Sequence, residues 1–397
     1  MHYIERTEYL QKLIDTVETE DIKVITGIRR SGKSCLLEAF SEYVENKIQN
    51  TNIISVNYND LSSECLKEYH ALNDFVMENY VKEKENFLFI DEVQLCEGFE
   101  KTINSLHNSH KFHIYITGSN AFLLSSDLAT FFTGRTFEIP VFPFSFAEYV
   151  KFFGENDLQK LFEMYVIQGG MAGSFSYTTE QQKYNYIKEV YNTLILRDIK
   201  QKYKIRNENL LQKVSDFMLD NIGTEVSTQK LANTLISNQQ KANNKTIGSY
   251  LNYLCNAFAF YKIRRYDIHG KKYLTSQDKY YLADHSFKYA KLGTKNLDYG
   301  RTYENIVALE LLRRGYEVYT GVLYKKEIDF VAIKQNEKIY IQVSDNIQEK
   351  ETFEREISPL LSIKDAYPKM IIAHTKHDEY TYEGIRIVDL ARWLIGN

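Results

Sequence analysis

Residues 27–34 read Gly-Ile-Arg-Arg-Ser-Gly-Lys-Ser, and their flanks constrain the fold more than any other stretch of the chain. A β-like run, Ile-Lys-Val-Ile-Thr at 22–26, leads into them, and a helical pattern from 33 to about 44 leads out. A strand that turns through glycines into a helix belongs to the βα units of a parallel sheet. The same turn has a chemistry. Backbone N–H groups of the loop and of the first helical turn converge on an anion, and glycine lets the backbone approach it closely. Lys33 adds a point charge and Ser34 a hydroxyl suited to a hard cation. Gly27, Ile28, Arg29, Arg30, Ser31, Gly32, Lys33 and Ser34 are therefore the candidate phosphate cradle, with a nucleotide and Mg²⁺ as the expected ligands. A lysine-bearing surface turn is the bland alternative for eight residues taken alone.

Further apolar runs at 52–56, 87–90, 114–117 and 136–139 alternate with helical stretches, which extends the parallel sheet. The run at 87–90 ends in Asp91 and Glu92. A strand-end aspartate suits the Mg²⁺ shell, and the glutamate after it suits polarising an attacking water. The plain alternative is a pair that caps the next helix. The run at 114–117 ends in Gly118-Ser119-Asn120, where a polar side chain reaches toward a terminal phosphate. Arg135 precedes the strand at 136–139; an arginine there stabilises transition-state charge, within its own subunit or across to a neighbour, or makes a surface salt bridge.

With 397 residues the chain exceeds one comfortable core, and its four prolines leave little room for long linkers. The expected divisions are an ATPase-like domain at 1–143, a helical lid or bridge at 144–205, a winged helix-turn-helix at 206–292 and a small α/β domain at 293–397. Four scattered cysteines with no CxxC pair imply neither a disulfide framework nor a zinc site. No apolar run approaches a membrane span, and the N-terminus lacks a signal pattern, so a soluble cytoplasmic protein without membrane contact is expected.

Taken together, GIRRSGKS (27–34), FLFIDEVQ (87–94), YITGSNAFLL (115–124) and TGRTFEIPVFPFSFAEY (133–149) resemble the AAA+ ATPases. With IQGGM (167–171), LILRDI (194–199) and EIDFVAI through IYIQV (327–343), the chain more closely resembles a prokaryotic subgroup, in which an archaeal-type ATPase domain carries a C-terminal region of uncharacterised function. The resemblance implies an α/β P-loop fold of AAA+ type that binds ATP and Mg²⁺. It supports the roles given to Lys33, Ser34, Asp91 and Glu92, with Ser119 or Asn120 as sensor and Arg135 as finger.

The net charge of −4 hides a basic segment: from 225 to 279 there are nine Lys or Arg against three Asp or Glu. The order there is helix, polar turn, helix and hairpin, as in a winged helix whose second helix enters the major groove. Lys241, Lys245, Lys262, Arg264, Arg265, Lys271 and Lys272 would contact DNA phosphates; packing against protein is the rival reading. Beyond it, Glu304, Asp329, Gln342 and Ser344 stand at spacings that resemble the PD-(D/E)xK nucleases, folds in which carboxylates hold Mg²⁺ and a lysine assists. Ser344 occupies the lysine position, so the domain is expected to be nuclease-like in fold and inactive, with Lys325, Lys326 or Lys334 as candidate substitutes; the rival reading is a structural or partner-binding α/β domain in which Asp329 is a satisfied strand-end carboxylate. Three readings follow: an ATPase whose nucleotide state controls a DNA- or protein-facing C-terminal half, an ATP-gated metal-dependent nuclease, and a non-hydrolysing ATP switch that recruits a partner or a second copy.

Overall fold

The computed structural model describes residues 6–118, 130, 132, 134–237, 243–270, 272–293 and 298–396. The chain divides into two compact units, Met1–Phe142 and Pro143–Asn397.

In the first unit, β1 (Ile22–Thr26), β2 (Thr51–Asn57), β3 (Glu85–Asp91), β4 (Phe112–Thr117) and β5 (Thr136–Pro140) form one parallel sheet in the order β2-β3-β4-β1-β5. A parallel sheet is covered on both faces, which is why β1 is buried along its whole length. Alternate residues of a strand point to opposite faces. Leu88 and Ile90 accordingly pack with Leu72 and Val76 of α3 (Tyr69–Glu78) and with Ile103 and Leu106 of α4 (Phe99–Asn108). Phe87 and Phe89 pack on the other face, with Tyr9 and Leu13 of α1 (Thr7–Asp15) and Phe40 and Val44 of α2 (Lys33–Lys47). The Phe40 ring lies 4.8 Å from Tyr115 and 5.9 Å from Phe89, and a buried ring of this kind is worth about 3–5 kcal/mol against alanine. Pro140 ends the edge strand β5, where a missing N–H costs the ladder little. Because β4 lies between β1 and β3, the ends of all three strands meet on one side of the sheet.

In the second unit, Ser145 starts the helix Phe146–Phe153 with a capping box: the Ser145 hydroxyl accepts from the Glu148 N–H, and the Glu148 carboxylate accepts from the Ser145 N–H. Phe146 and Tyr149 of that helix, with Phe162 and Tyr165 of Leu158–Gln168, share a core with Tyr303, Phe330 and Ile341. The sheet here has nine strands: β6 (Glu225–Val226), β7 (Phe260–Asp267), β8 (Lys272–Leu282), β9 (Glu317–Leu323), β10 (Lys326–Lys334), β11 (Glu337–Ser344), β12 (Lys369–Ala373), β13 (Tyr380–Tyr382) and β14 (Ile385–Asp389). Their order is β13-β14-β12-β11-β10-β9-β7-β8-β6. The divisions expected at 205/206 and 292/293 fall inside this unit, and the sheet runs across the second of them.

The helix-turn-helix order is present as Thr228–Ser237 and Asn244–Asn256, the latter capped by the Asn243 side chain on the Thr246 N–H at 2.7 Å. The hairpin after it is not a projecting wing. β7 is antiparallel to β8 on one side and parallel to β9 on the other, so it is an interior strand. Ile263 sits in one core and Tyr266 in another, and this two-sided burial fixes the strand inside the sheet. Among the described residues no helix is long and apolar enough to cross a membrane.

Candidate functional site

Gly27 follows β1 with φ +137°, and a Cβ there would stand 2.1 Å from the Val141 carbonyl oxygen. No side chain fits that approach, so the first glycine is fixed by both conformation and space. Gly32 caps α2 at φ +94°, and Arg30 between them is held at φ +66°, a conformation that non-glycine residues adopt at a cost. The loop therefore curls tightly into the start of α2. Lys33 is buried, and its Nζ donates to Gly27 O at 3.0 Å and Ile28 O at 3.1 Å, so the ammonium is held against its own loop. Behind the loop, buried Arg6 donates through Nη1 to Ser31 O and Phe142 O, both at 2.8 Å, and lies 4.4 Å over the Tyr9 ring. Arg6 ties the loop to the end of the sheet, a role that nothing in its sequence context signals.

Asp91 ends β3 and Thr117 ends β4. The Thr117 hydroxyl donates to Asp91 Oδ1 and accepts the Glu92 N–H at 3.1 Å. Among the described residues, Asp91 Oδ2 is buried with no hydrogen-bond partner. Such an oxygen costs about 1–3 kcal/mol unless something satisfies it. Asp91 lines a cavity of about 240 Å³ together with Ser34, Glu38, Glu42 and Asn57. Burial first, and then the charges of Asp91 and Glu42, push the Glu38 carboxyl above the usual carboxylate range. An orphaned carboxylate oxygen, a nearby hydroxyl and mutually repelling acids are the donor set and field that a hard divalent cation relieves. Glu92 itself is held at φ +55°, and its carboxylate accepts from the Gln94 amide.

The other residues read from the sequence fall less neatly. Ser119 and Asn120 lie outside the described residues. Arg135 is exposed, donates to Asn108 Oδ1 at 2.9 Å, and precedes β5 at the end of the sheet opposite the loop. The structure does not bring it to the cradle of its own chain. Of the basic residues, Lys241 and Lys271 lie outside the described residues, as does the Lys272 side chain. Lys262 is paired with Asp278 at 2.7 Å and Arg265 with Glu225 at 3.1 Å, so neither charge is fully available to a phosphate. Lys245 and Arg264 are exposed.

In the second unit, the Gln342 amide oxygen accepts the Asp329 N–H at 3.3 Å, and its nitrogen donates to Glu356 Oε2 at 2.8 Å. Asp329 Oδ2 accepts the Val343 N–H at 2.8 Å. Burial first, then the Glu304 charge, push the Asp329 carboxyl well above its usual range, against the pull of Lys279 and the Val343 N–H. Ser344 is elsewhere engaged: its hydroxyl donates to Asn346 O at 3.0 Å. Lys326 is bonded to Ser358 and Ser362, and Lys334 to the Arg314 carbonyl, so neither stands in for the missing lysine. Lys325 is exposed. Instead, Lys279 of β8 reaches the acids, 2.6 Å from Glu327 and 3.7 Å from Glu304.

A glycine-bounded loop between a central parallel strand and a helix, facing a strand-end aspartate, defines a P-loop nucleotide-binding protein. Residues 19–150 match the protein family described as "AAA domain", and residues 159–298 match one described as "Domain of unknown function (DUF8612)". The chain belongs to the same family as an uncharacterized protein of Haemophilus influenzae, 37% identical over 398 residues that cover 99% of this chain and 98% of that one. An uncharacterized protein of Methanocaldococcus jannaschii is 30% identical over 353 residues, 85% of this chain and 77% of the relative. Among solved structures, AMPPCP-bound DnaA from Aquifex aeolicus aligns at 14% identity over 62% of this chain and 86% of that one, with a TM-score of 0.32, a likeness that carries no functional weight.

Proposed function

We propose that this protein is a Mg²⁺-dependent ATPase of the AAA+ class whose nucleotide state controls a C-terminal half that faces DNA or a protein partner. The observation that carries the reading is Asp91, which lines one cavity with Ser34: Thr117 holds one of its carboxylate oxygens, and the other, Oδ2, is buried without a partner among the described residues. Ser34 and Asp91 would hold the cation, and Mg²⁺ bound there neutralises charge on the phosphates. The loop N–H groups from Gly27 to Gly32 bind the phosphates, with Lys33 exchanging its two loop carbonyls for phosphate oxygens. Glu92 orients and deprotonates the attacking water once Gln94 releases its carboxylate. Ser119 or Asn120 senses the terminal phosphate, and Arg135 serves a neighbouring copy.

The test is a pair of variants measured by calorimetry and ATP turnover. Lys33→Ala is expected to abolish or strongly weaken ATP binding while the fold survives. Glu92→Gln is expected to bind ATP normally and to hydrolyse it roughly two to four orders of magnitude more slowly. Wild-type affinity in the first variant, or wild-type turnover in the second, would remove the assignment.

A further inference from the structure

Lys279 is 4% exposed, and its ammonium pairs with two carboxylates rather than lying in water. Glu327 Oε1 is 2.6 Å from Nζ and Glu304 Oε2 is 3.7 Å, while the Tyr281 hydroxyl donates to the same Glu304 oxygen at 3.2 Å. Glu304 comes from the helix Tyr299–Arg313, Glu327 and Asp329 from β10. Burial alone would draw the lysine pKa down; the charges of Glu304, Asp329 and Glu327 together outweigh it and hold the pKa above its ordinary value. An ammonium that stays charged in the interior is one whose surroundings were built for a cation.

We propose that Lys279 is the resident cation of this acidic cluster: its ammonium fills the place that a divalent metal takes in a nuclease-like centre. The cluster is thereby closed to metal and to cutting, and β8 is pinned to β10 and to the helix that carries Glu304. The lysine supplies one positive charge and three donors to a group that would otherwise hold mutually repelling acids, of which Asp329 is buried. The residues a metal would need are already committed within the protein. Both polar atoms of Gln342 are bonded, to the Asp329 N–H and the Glu356 carboxylate, and Asp329 Oδ2 takes the Val343 N–H. With Lys279 in place, no three His, Cys, Asp or Glu side chains among the described residues stand closely enough to hold a metal; removing the ammonium lets the acids close on one. The inference rests on the second unit alone and stands whether or not the first hydrolyses ATP.

The experiment uses full-length protein carrying Asp91→Asn, which silences the cation site of the first unit, without nucleotide. Thermal unfolding is followed with and without millimolar Mn²⁺. The parent with Lys279 intact is expected to show no Mn²⁺ dependence. Lys279→Met in the same background is expected to lower the midpoint of the second unit by about 10 °C. Mn²⁺ should restore at least half of that loss, and adding Asp329→Asn should remove the restoration. Where Lys279→Met gives no folded protein, Lys279→Met with Glu327→Gln is expected to recover folding, because one anion leaves with the cation. Four results would overturn the proposal: a Mn²⁺ response of the parent that Asp329→Asn abolishes, Mn²⁺-dependent DNA cleavage lost with the same substitution, a Lys279→Met protein that falls without gaining anything from Mn²⁺, or one that does not fall at all.

Discussion

Thr117 shows how much of the first site hangs on one hydroxyl. It donates to Asp91, which fixes the carboxylate with its other oxygen free for a cation, and it accepts the N–H of Glu92, which sets where that residue's side chain departs. Valine has the same shape and neither bond. Thr117→Val is therefore expected to lower ATP turnover about 10–100-fold and to raise the Mg²⁺ concentration needed for half-maximal rate, whereas Thr117→Ser keeps both. A Thr117→Val enzyme with unchanged Mg²⁺ dependence would show that Asp91 is oriented by something else. The place of Asp91 and Glu92 at a strand end was legible because two acids close an apolar run. Thr117 was not, since its role depends on β4 pairing with β3 in the register Ile90↔Ile116. Arg6 was invisible for a similar reason: only the packing of α1 carries its guanidinium to the loop.

The hairpin β7–β8 was legible as two strands, and its place inside a nine-stranded sheet was not. Lys262, Arg264 and Arg265 gave it a basic look, but Ile263 and Tyr266 anchor it between cores, and two of the three charges are spent on Asp278 and Glu225. Among the described residues, any DNA contact by this basic segment then falls first to Arg264 of the hairpin and to Lys245 of the helix before it, both exposed. Reversing both should weaken duplex binding at all sequences and reduce the salt slope by about one unit per lost contact, while reversing Lys262 should change it less. Equal losses from all three would mean that the ion pair does not hold in solution. The IQGGM stretch was legible as a signature only. Gly169 admits no Cβ, which would stand 2.1 Å from Asp284 Oδ1, and Gly170 donates its N–H to Asp284 Oδ2 at 2.7 Å. Beside it His285, fully buried, contacts Tyr165 O through Nε2 at 2.8 Å. Burial draws its pKa below the ordinary 6.5, against the nearby Asp284. The folded ring is thus neutral where the unfolded one takes up a proton. Its contribution to stability is complete above pH 6.5 and is lost as pH falls through the folded pKa. His285→Gln is expected to make the unfolding midpoint less sensitive to pH between about 7 and 5; an unaltered slope would assign the acid response to other groups.

At the scale of the whole molecule, the position of Arg135 decides what a role in catalysis would require of it. β1 and β5 are parallel in the register Ile22↔Thr136 to Thr26↔Pro140, so the phosphate loop after Thr26 and the arginine before Thr136 lie at opposite ends of the pair. Five residues of strand separate them, about 16 Å, which an arginine side chain does not span back along its own sheet. The side chain is exposed and rests on Asn108, a neutral partner from which a phosphate charge would draw it. If it serves catalysis, it serves a neighbour's nucleotide, through a head-to-tail contact that repeats around an assembly. Arg135→Ala and Glu92→Gln should then each abolish most turnover alone. Mixed in equal amounts they should recover part of it, because about one random head-to-tail interface in four joins an intact Glu92 to an intact Arg135. Turnover that stays at the sum of the two separate variants, in protein shown by light scattering to have assembled and exchanged, would leave Arg135 as a surface residue and the search for a finger would move elsewhere.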